Sequence, residues 1–102
     1  MKLVLKSRKD TYEAVAEYNV QEKKFVVKKG SKVSETIAHS TTFKAAKTIE
    51  DSRKGIVDKN YLTTKDVEFK SASTAANFVT GRSTNGLIAW KDTNGKKLKE
   101  LI

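Results

Sequence analysis

The residues best suited to chemistry lie in one stretch, "SASTAANFVTGRSTNG", which runs from Ser71 to Gly86. Ser71, Ser73 and Thr74 stand at the start of an alanine-rich helical pattern, directly after Lys70. Free N–H groups and the positive end of the helix dipole make such a start a suitable site for one phosphate. The same residues are more typical of a simple N-cap, which needs only one serine. The pattern therefore leaves a phosphate contact and an ordinary cap as alternatives.

The loop after this helix adds a second group of polar side chains, "RSTNG". The guanidinium of Arg82 can contact a phosphate or a guanine edge with two donors, and the hydroxyl of Ser83 follows it. Asn85 can pair with adenine, but Asn85–Gly86 is also typical of a turn, and the residue types favour the turn. For Arg82, the residue types do not decide between a ligand contact and an ordinary surface residue.

A third group follows in "WKDTNGKKLK". Its lysines surround a predicted turn and suit a phosphate backbone, although charged turns are also the usual protein surface. Trp90 could stack on a base, but its apolar neighbours favour a place in the core. The DNA-binding residues predicted from all three groups are Lys70, Ser71, Ser73, Thr74, Arg82, Ser83, Asn85, Lys91, Lys96 and Lys97.

Catalytic and metal-binding constellations are missing from the sequence. There is no cysteine, and the single histidine, His39, has no evident acid–base partner. The glycines follow neither a dinucleotide-binding nor a P-loop pattern. We therefore expect a protein that is not an enzyme and needs no metal or cofactor.

Charge is the clearest compositional signal in the 102-residue chain. Lys and Arg number 21 against 12 Asp and Glu, which gives a net charge of +9. Residues 1–32 carry +5, residues 33–70 carry +1 and residues 71–102 carry +3, so both ends are basic. Such a balance favours a polyanionic partner, most commonly nucleic acid, although lysines that serve only solubility remain an alternative.

Nothing in the sequence indicates a membrane protein. No apolar run approaches the roughly 20 residues that a spanning helix needs. The opening "MKLVLKSRKDTYEA" has too short an apolar stretch for a signal peptide. We expect a cytoplasmic protein without a membrane partner.

The pattern of apolar residues predicts one small α+β domain over residues 1–102, an antiparallel sheet with two short helices packed on it. "KLVLKS", "TYEAVAEYNV" and "FVVKK" indicate a meander of strands, and "VDKNYLTTKDVEFK" a hairpin or two short strands. The first helix begins at a cap among residues 40–42 and ends at Gly55, and the second ends at Gly81. "LIAWK" is predicted as a strand, Asn94–Gly95 as a hairpin turn, and "KKLKELI" as a last strand or short helix.

Several of these motifs together resemble a known domain. "FVVKKGS", "DSRKGIV" and "VEFKSASTAANFVTGRSTNGLIAWKDTNGKKLKELI" are similar to a bacterial and archaeal domain of unknown function found C-terminal to GIY-YIG nuclease modules. That family has a "KGS" turn, a serine–alanine helix start, a "G-R-S-x-N-G" loop and a "W-K…G-K-x-L" ending. The last half also resembles the modified-DNA reader domain associated with restriction enzymes and adenine methylases. The resemblance covers about residues 25–102, which an N-terminal β-hairpin precedes.

The resemblance implies a DNA-binding accessory domain that acts alone or with a nuclease or other partner in trans, since no nuclease module precedes it. The family's helix start falls on Ser71, Ser73, Ala75 and Ala76, and its loop, tryptophan and turn glycine fall on residues 81–86, Trp90 and Gly95. Ala72 stands where the family has proline. Leu87 stands where the reader group has tryptophan, which argues against modified-base reading.

Three functional hypotheses follow. The leading one is binding of double-stranded DNA through its phosphates, and the alternative is a protein-interaction or structural module of a restriction or mobile-element system. RNA binding is the third, but its usual aromatic platform is not evident, because Tyr12, Tyr18 and Phe25 can all be core residues.

Overall fold

The fold is built on one antiparallel sheet of four strands, in a computed structural model that describes residues 1–9, 11–37 and 46–102. The strands are β1 (Lys2–Lys6), β2 (Glu13–Asn19), β3 (Lys24–Val27) and β4 (Val67–Phe69), and their spatial order follows the chain. Each neighbouring pair is antiparallel, with Val4 opposite Val15 and Phe25 opposite Phe69. The predicted α+β class with a small antiparallel sheet is confirmed.

One face of the sheet forms the core. Alternate residues of the first three strands are buried there, because successive side chains of a strand point to opposite faces. The buried strand residues are Leu3, Leu5, Ala14, Ala16, Phe25 and Val27. Tyr12 and Tyr18 continue this face as half-buried residues, as the strand period predicts. Trp90 is fully buried against Phe25, with ring centroids 5.0 Å apart, so it is a core residue rather than a stacking surface.

In the described part of the chain, four helices accompany the sheet: α1 (Ala46–Arg53), α2 (Ala72–Thr80), α3 (Gly86–Ala89) and α4 (Leu98–Leu101). The oxygen of Ser71 accepts the N–H of Thr74 and caps α2, and Gly81 ends α2 in the left-handed conformation at φ 73°. The alanine stripe predicted for α2 is buried at Ala75 and Ala76. Small side chains there let the α2 backbone lie close to the sheet. The caps predicted for α1 among residues 40–42, and His39, lie outside the described residues.

The prediction of a strand at "LIAWK" was wrong. Gly86–Ala89 forms the one-turn helix α3, because Asn85 caps it: its side chain accepts the N–H of Leu87 and its carbonyl accepts that of Ala89. Within this stretch Lys91 forms the β-bridge, and it exchanges both backbone hydrogen bonds with Val4 of β1. A local side-chain cap thus outcompetes the strand preference of the apolar run.

The predicted hairpins are also shorter than expected. Asn94–Gly95 does form a turn, but its arms pair only through a single bridge between Lys91 and Lys97, and the chain then enters α4. In "VDKNYLTTKDVEFK", only Val67–Phe69 is a strand, and Val57 meets Thr63 in an isolated bridge.

Asp66 fixes the turn after β3 and provides a test of acid stability. Its carboxylate accepts the backbone N–H of Lys29 at 2.8 Å and the ammonium of Lys28 at 2.9 Å. These bonds, the backbone one first, lower the pKa of Asp66 below the ordinary 3.8. A lowered pKa contributes stability above the ordinary value, and the contribution is lost as the pH falls through the folded-state pKa.

We therefore expect Asp66→Asn to destabilise the protein at neutral pH, and this deficit to shrink below a pH of about 4 and to vanish as the pH falls through the lowered pKa of Asp66. Urea unfolding of both proteins from neutral to acidic pH measures the difference. An Asn oxygen still accepts from Lys29, so the change isolates the charge. A deficit that persists unchanged at the acid end would show that Asp66 acts through geometry alone.

Candidate nucleic-acid interface

The polar side chains at the start of α2 are engaged within the protein. The hydroxyls of Ser71 and Thr74 share a hydrogen bond of 2.8 Å, in addition to the N-cap bond. The hydroxyl oxygen of Ser73 accepts the N–H of Gly86 at 3.0 Å. Lys70 is exposed directly before the cap. The helix start is therefore a capped junction whose hydroxyls stabilise local structure.

This junction joins α2 to α3 at close range. A Cβ on Gly86 would overlap the backbone of Ala72 and Ser73, so only glycine allows the approach. The indole N–H of Trp90 donates to the carbonyl of Ala72 at 3.0 Å, which secures the other end of α3. The serine–alanine start, the NG pair and the tryptophan thus form one packing unit.

The loop between the two helices holds Arg82 at the opposite end of α2, about 13 Å along the helix axis. The Thr80 hydroxyl donates to the carbonyl of Arg82 at 3.1 Å and bonds the Thr84 hydroxyl at 2.8 Å. The amide oxygen of Asn77 accepts the N–H of Thr84 at 2.9 Å. Arg82 therefore has a fixed backbone, while its exposed side chain makes no hydrogen bond or ion pair with any described residue.

Arg82 lines a groove of about 1110 Å³, which we call the cationic groove. The residues that bring positive charge to it are Lys6, Arg8, Lys9, Lys32, Arg82 and Lys91. Among the described lining residues, Glu35 is the sole carboxylate. Tyr12, Ile88 and Ala89 add an aromatic and apolar portion. This arrangement suits a ligand that carries several negative charges and some apolar surface.

Regular structure positions the groove cations. Lys91 is fixed to Val4 through backbone bonds of 2.7 and 3.0 Å, and Lys32 to Glu13 through bonds of 2.7 and 3.0 Å. Arg8 lies in the turn between β1 and β2, which the Ser7 hydroxyl closes by accepting the N–H of Thr11 at 2.7 Å. Charges that are far apart in sequence therefore meet at one place on a rigid frame.

A buried arginine lies behind this groove. Arg53 is 8% exposed, and its guanidinium donates to the carbonyls of Ser34 and Phe78 at 2.9 and 2.6 Å. Burial lowers the pKa of Arg53 to about 10, which leaves it charged at neutral pH. Ser34 lines the groove, and Phe78 lies near the end of α2, whose Thr80 also lines it, so Arg53 ties the 34–37 segment to the end of α2.

The 34–37 segment and the end of α2 also touch directly at Gly81. A Cβ on this residue would overlap the carbonyl of Thr36 and crowd the Ser34 hydroxyl. The glycine therefore serves both the left-handed helix end and the close approach of the 34–37 segment.

The structure divides the sequence-predicted site residues. Arg82 and Lys91 meet in the cationic groove. Asn85 and the hydroxyl residues Ser71, Ser73 and Thr74 belong to the packing unit, and Lys70 is exposed directly before it. Ser83, Lys96 and Lys97 lie in the two loops. Sequence reasoning missed Lys6, Arg8, Lys9 and Lys32, although the +5 charge of residues 1–32 was a signal for them.

The described part of the chain contains no group of three or more His, Cys, Asp or Glu side chains that could hold a metal ion. None of its helices is long and apolar enough to cross a membrane.

Comparison with known proteins gives a family but no annotated relative. No curated protein and no solved structure matches the chain. A family model described as a domain of unknown function, DUF4357, matches residues 5–102, which include the end of β1, all of β2 and the loop from Gly81 to Gly86. The chain belongs to this family of domains of unknown function.

Proposed function

We propose that this domain is a non-enzymatic accessory domain that binds double-stranded DNA. The observation that carries the proposal is the cationic groove, where six Lys and Arg residues face one carboxylate among the described lining residues. Phosphates are the closely spaced anions that such a surface attracts most strongly, since contact releases condensed counterions. The net charge of +9 adds a long-range attraction to the same partner.

In this proposal the groove cations neutralise successive phosphates of the backbone. Arg82 is the best placed for a specific contact, because its backbone is fixed and a guanidinium can bind a phosphate with two donors. Lys97 is bridged to Lys91 across the turn, so its charge extends the surface beside the groove. These contacts hold the duplex without reading its sequence.

We also propose that the domain is accessory to a partner protein. The resemblance to domains that accompany GIY-YIG nucleases supports a role beside a nuclease or another protein of a restriction or mobile-element system. The domain would act in the cytoplasm and hold DNA while its partner performs the chemistry.

A salt titration tests the binding. Three to five phosphate contacts predict a slope of about −3 to −4.5 for log affinity against log salt concentration on duplex DNA. Fluorescence anisotropy with a labelled duplex at several salt concentrations measures this slope. Absence of binding at low salt would refute the proposal.

We expect Arg82→Ala to weaken duplex binding about three- to tenfold and to reduce the slope by about one unit. The matched control is Lys59→Ala, because Lys59 is exposed, lies outside the groove and makes no ion pair with any described residue. The control removes the same unit of net charge and is expected to change affinity less than twofold. Equal effects of the two changes would show that net charge, not the groove, binds DNA.

A further inference from the structure

The cationic groove contains a feature that phosphate binding to a duplex does not use. Tyr12 lies on the core face of the sheet at the end next to the groove, where it is half-buried and lines the groove wall. Its hydroxyl has no hydrogen-bond partner among the described residues, and no polar side-chain atom there is both buried and unsatisfied. The hydroxyl edge of Tyr12 is therefore open to the groove.

Ile88 adds apolar surface to the same groove. Its side chain is 42% exposed although it is large and aliphatic, and it lines the groove together with Ala89. The groove thus offers the open hydroxyl edge of an aromatic ring and aliphatic surface, together with six cationic residues. A cationic groove with an aromatic side chain is the arrangement that tracks an unpaired strand, whose bases stack on the ring while its phosphates meet the charges.

The bases of a duplex cannot use this surface, because their faces are stacked on one another. An unpaired strand exposes the face of each base. The groove volume of about 1110 Å³ lies just above that of cavities for small organic ligands, about 300–1,000 Å³, which gives room for a few nucleotides.

We propose that the cationic groove takes a short unpaired stretch of a DNA strand, such as a single-stranded end of a duplex, with a base against Tyr12 and phosphates on Arg82 and Lys91. This inference rests on the proposed function and names the form of DNA that fits the groove. The adjoining duplex keeps its phosphates on the other groove cations and on Lys97.

The test compares a blunt duplex with the same duplex carrying a short thymidine overhang, by fluorescence anisotropy. Stacking of one base and contact of its phosphates predict about tenfold tighter binding of the overhang DNA. Tyr12→Leu keeps apolar volume but removes the aromatic face, so the ratio of overhang to blunt affinity is expected to fall about fivefold or more. Tyr12→Phe keeps the face and is expected to retain the ratio.

A second measurement does not depend on a variant that must fold. The ring protons of Tyr12 are expected to shift upfield when the overhang DNA is added, and not with the blunt duplex. Equal affinities for the two DNAs would overturn this inference while duplex binding stands, and absence of all DNA binding would overturn both. Displacement of the overhang DNA by polyglutamate at the same charge concentration would also overturn it, since the groove would then select charge alone.

Discussion

Replacing Arg53 by methionine is expected to lower the free energy of unfolding by about 2–5 kcal/mol. Its Nε and one Nη donate to the carbonyl of Phe78 at 3.1 and 2.6 Å, and its other Nη donates to that of Ser34 at 2.9 Å. Methionine fills the space but donates nothing, so two buried carbonyls lose their donors at about 1–3 kcal/mol each. Urea unfolding monitored by Trp90 fluorescence measures the loss.

Burial of an arginine is costly, and a well-packed apolar replacement of a buried ion pair is often neutral. That exchange requires both partners to be replaced. The partners of Arg53 are backbone carbonyls, which no substitution removes. The cost of burial appears as the lowered pKa of about 10, and the bonds to the end of α2 and to Ser34 offset it.

Two further variants separate charge from geometry. Arg53→Lys keeps the charge but cannot place donors on both carbonyls at once, so it is expected to retain at most half of the lost stability. Arg8→Met removes an exposed arginine in the turn between β1 and β2 and is expected to change stability by less than about 0.5 kcal/mol. If Arg53→Met lowered the free energy of unfolding no more than Arg8→Met, the bonds of Arg53 would not hold the 34–37 segment to the end of α2.

The sheet was predictable from the sequence because its signal is local. Leu3, Leu5, Ala14 and Ala16 alternate with polar or half-buried neighbours, and one buried face fixes their register. The helix α2 was equally clear, since Ser71 and Gly81 are the residue types that start and end a helix.

The strand predicted at "LIAWK" was wrong because the local cap by Asn85 acts together with a contact to distant residues. Asn85 and Gly86 are typical of a hairpin turn, yet Asn85 caps α3 and Gly86 packs on the start of α2. The contact joins residues that are more than ten positions apart, so no local pattern contains it.

Only part of the site was predicted, because the missed residues join the groove through contacts between distant segments. Arg82 and Lys91 stood out through neighbouring motifs, whereas Lys32 and Arg8 have ordinary neighbours. They join the groove only because the sheet places the turn between β1 and β2 beside the end of α2. Composition indicated that the N-terminal third is basic, and only the fold shows where that charge is concentrated.

Most residues of the stretch with the strongest motif therefore stabilise the fold. In "SASTAANFVTGRSTNG", the helix start, Gly81 and the NG pair all have partners within the protein, and Arg82 is left exposed beside the groove. A recognisable motif in this family is thus compatible with a packing role for most of its residues. Substitution of its glycines distinguishes packing from ligand contact.

Gly86→Ala is expected to destabilise the protein by about 3 kcal/mol or more. The added methyl group would overlap the backbone of Ala72 and Ser73, which cannot rotate away as a side chain does. Relief of the overlap must move α3 from α2 and lengthen both the Ser73 bond to Gly86 and the Trp90 bond to Ala72. Thermal unfolding followed by circular dichroism measures the loss, and for a domain of this size each kcal/mol corresponds to about 4–8 °C.

Gly95→Ala is the matched control, because it makes the same chemical change without the overlap. Gly95 has φ +85° and no atom within 4 Å of an added Cβ, so alanine there suffers only the left-handed backbone, at about 1–2 kcal/mol. Gly86 has no positive φ, so its cost is purely one of contact. If Gly86→Ala were no more destabilising than Gly95→Ala, the junction of α2 and α3 would be loose, and the motif would need an explanation outside the packing of the domain. A larger loss at Gly86 would instead show that the NG pair holds α3 against α2, and thereby sets the position of Ile88 and Lys91 in the groove.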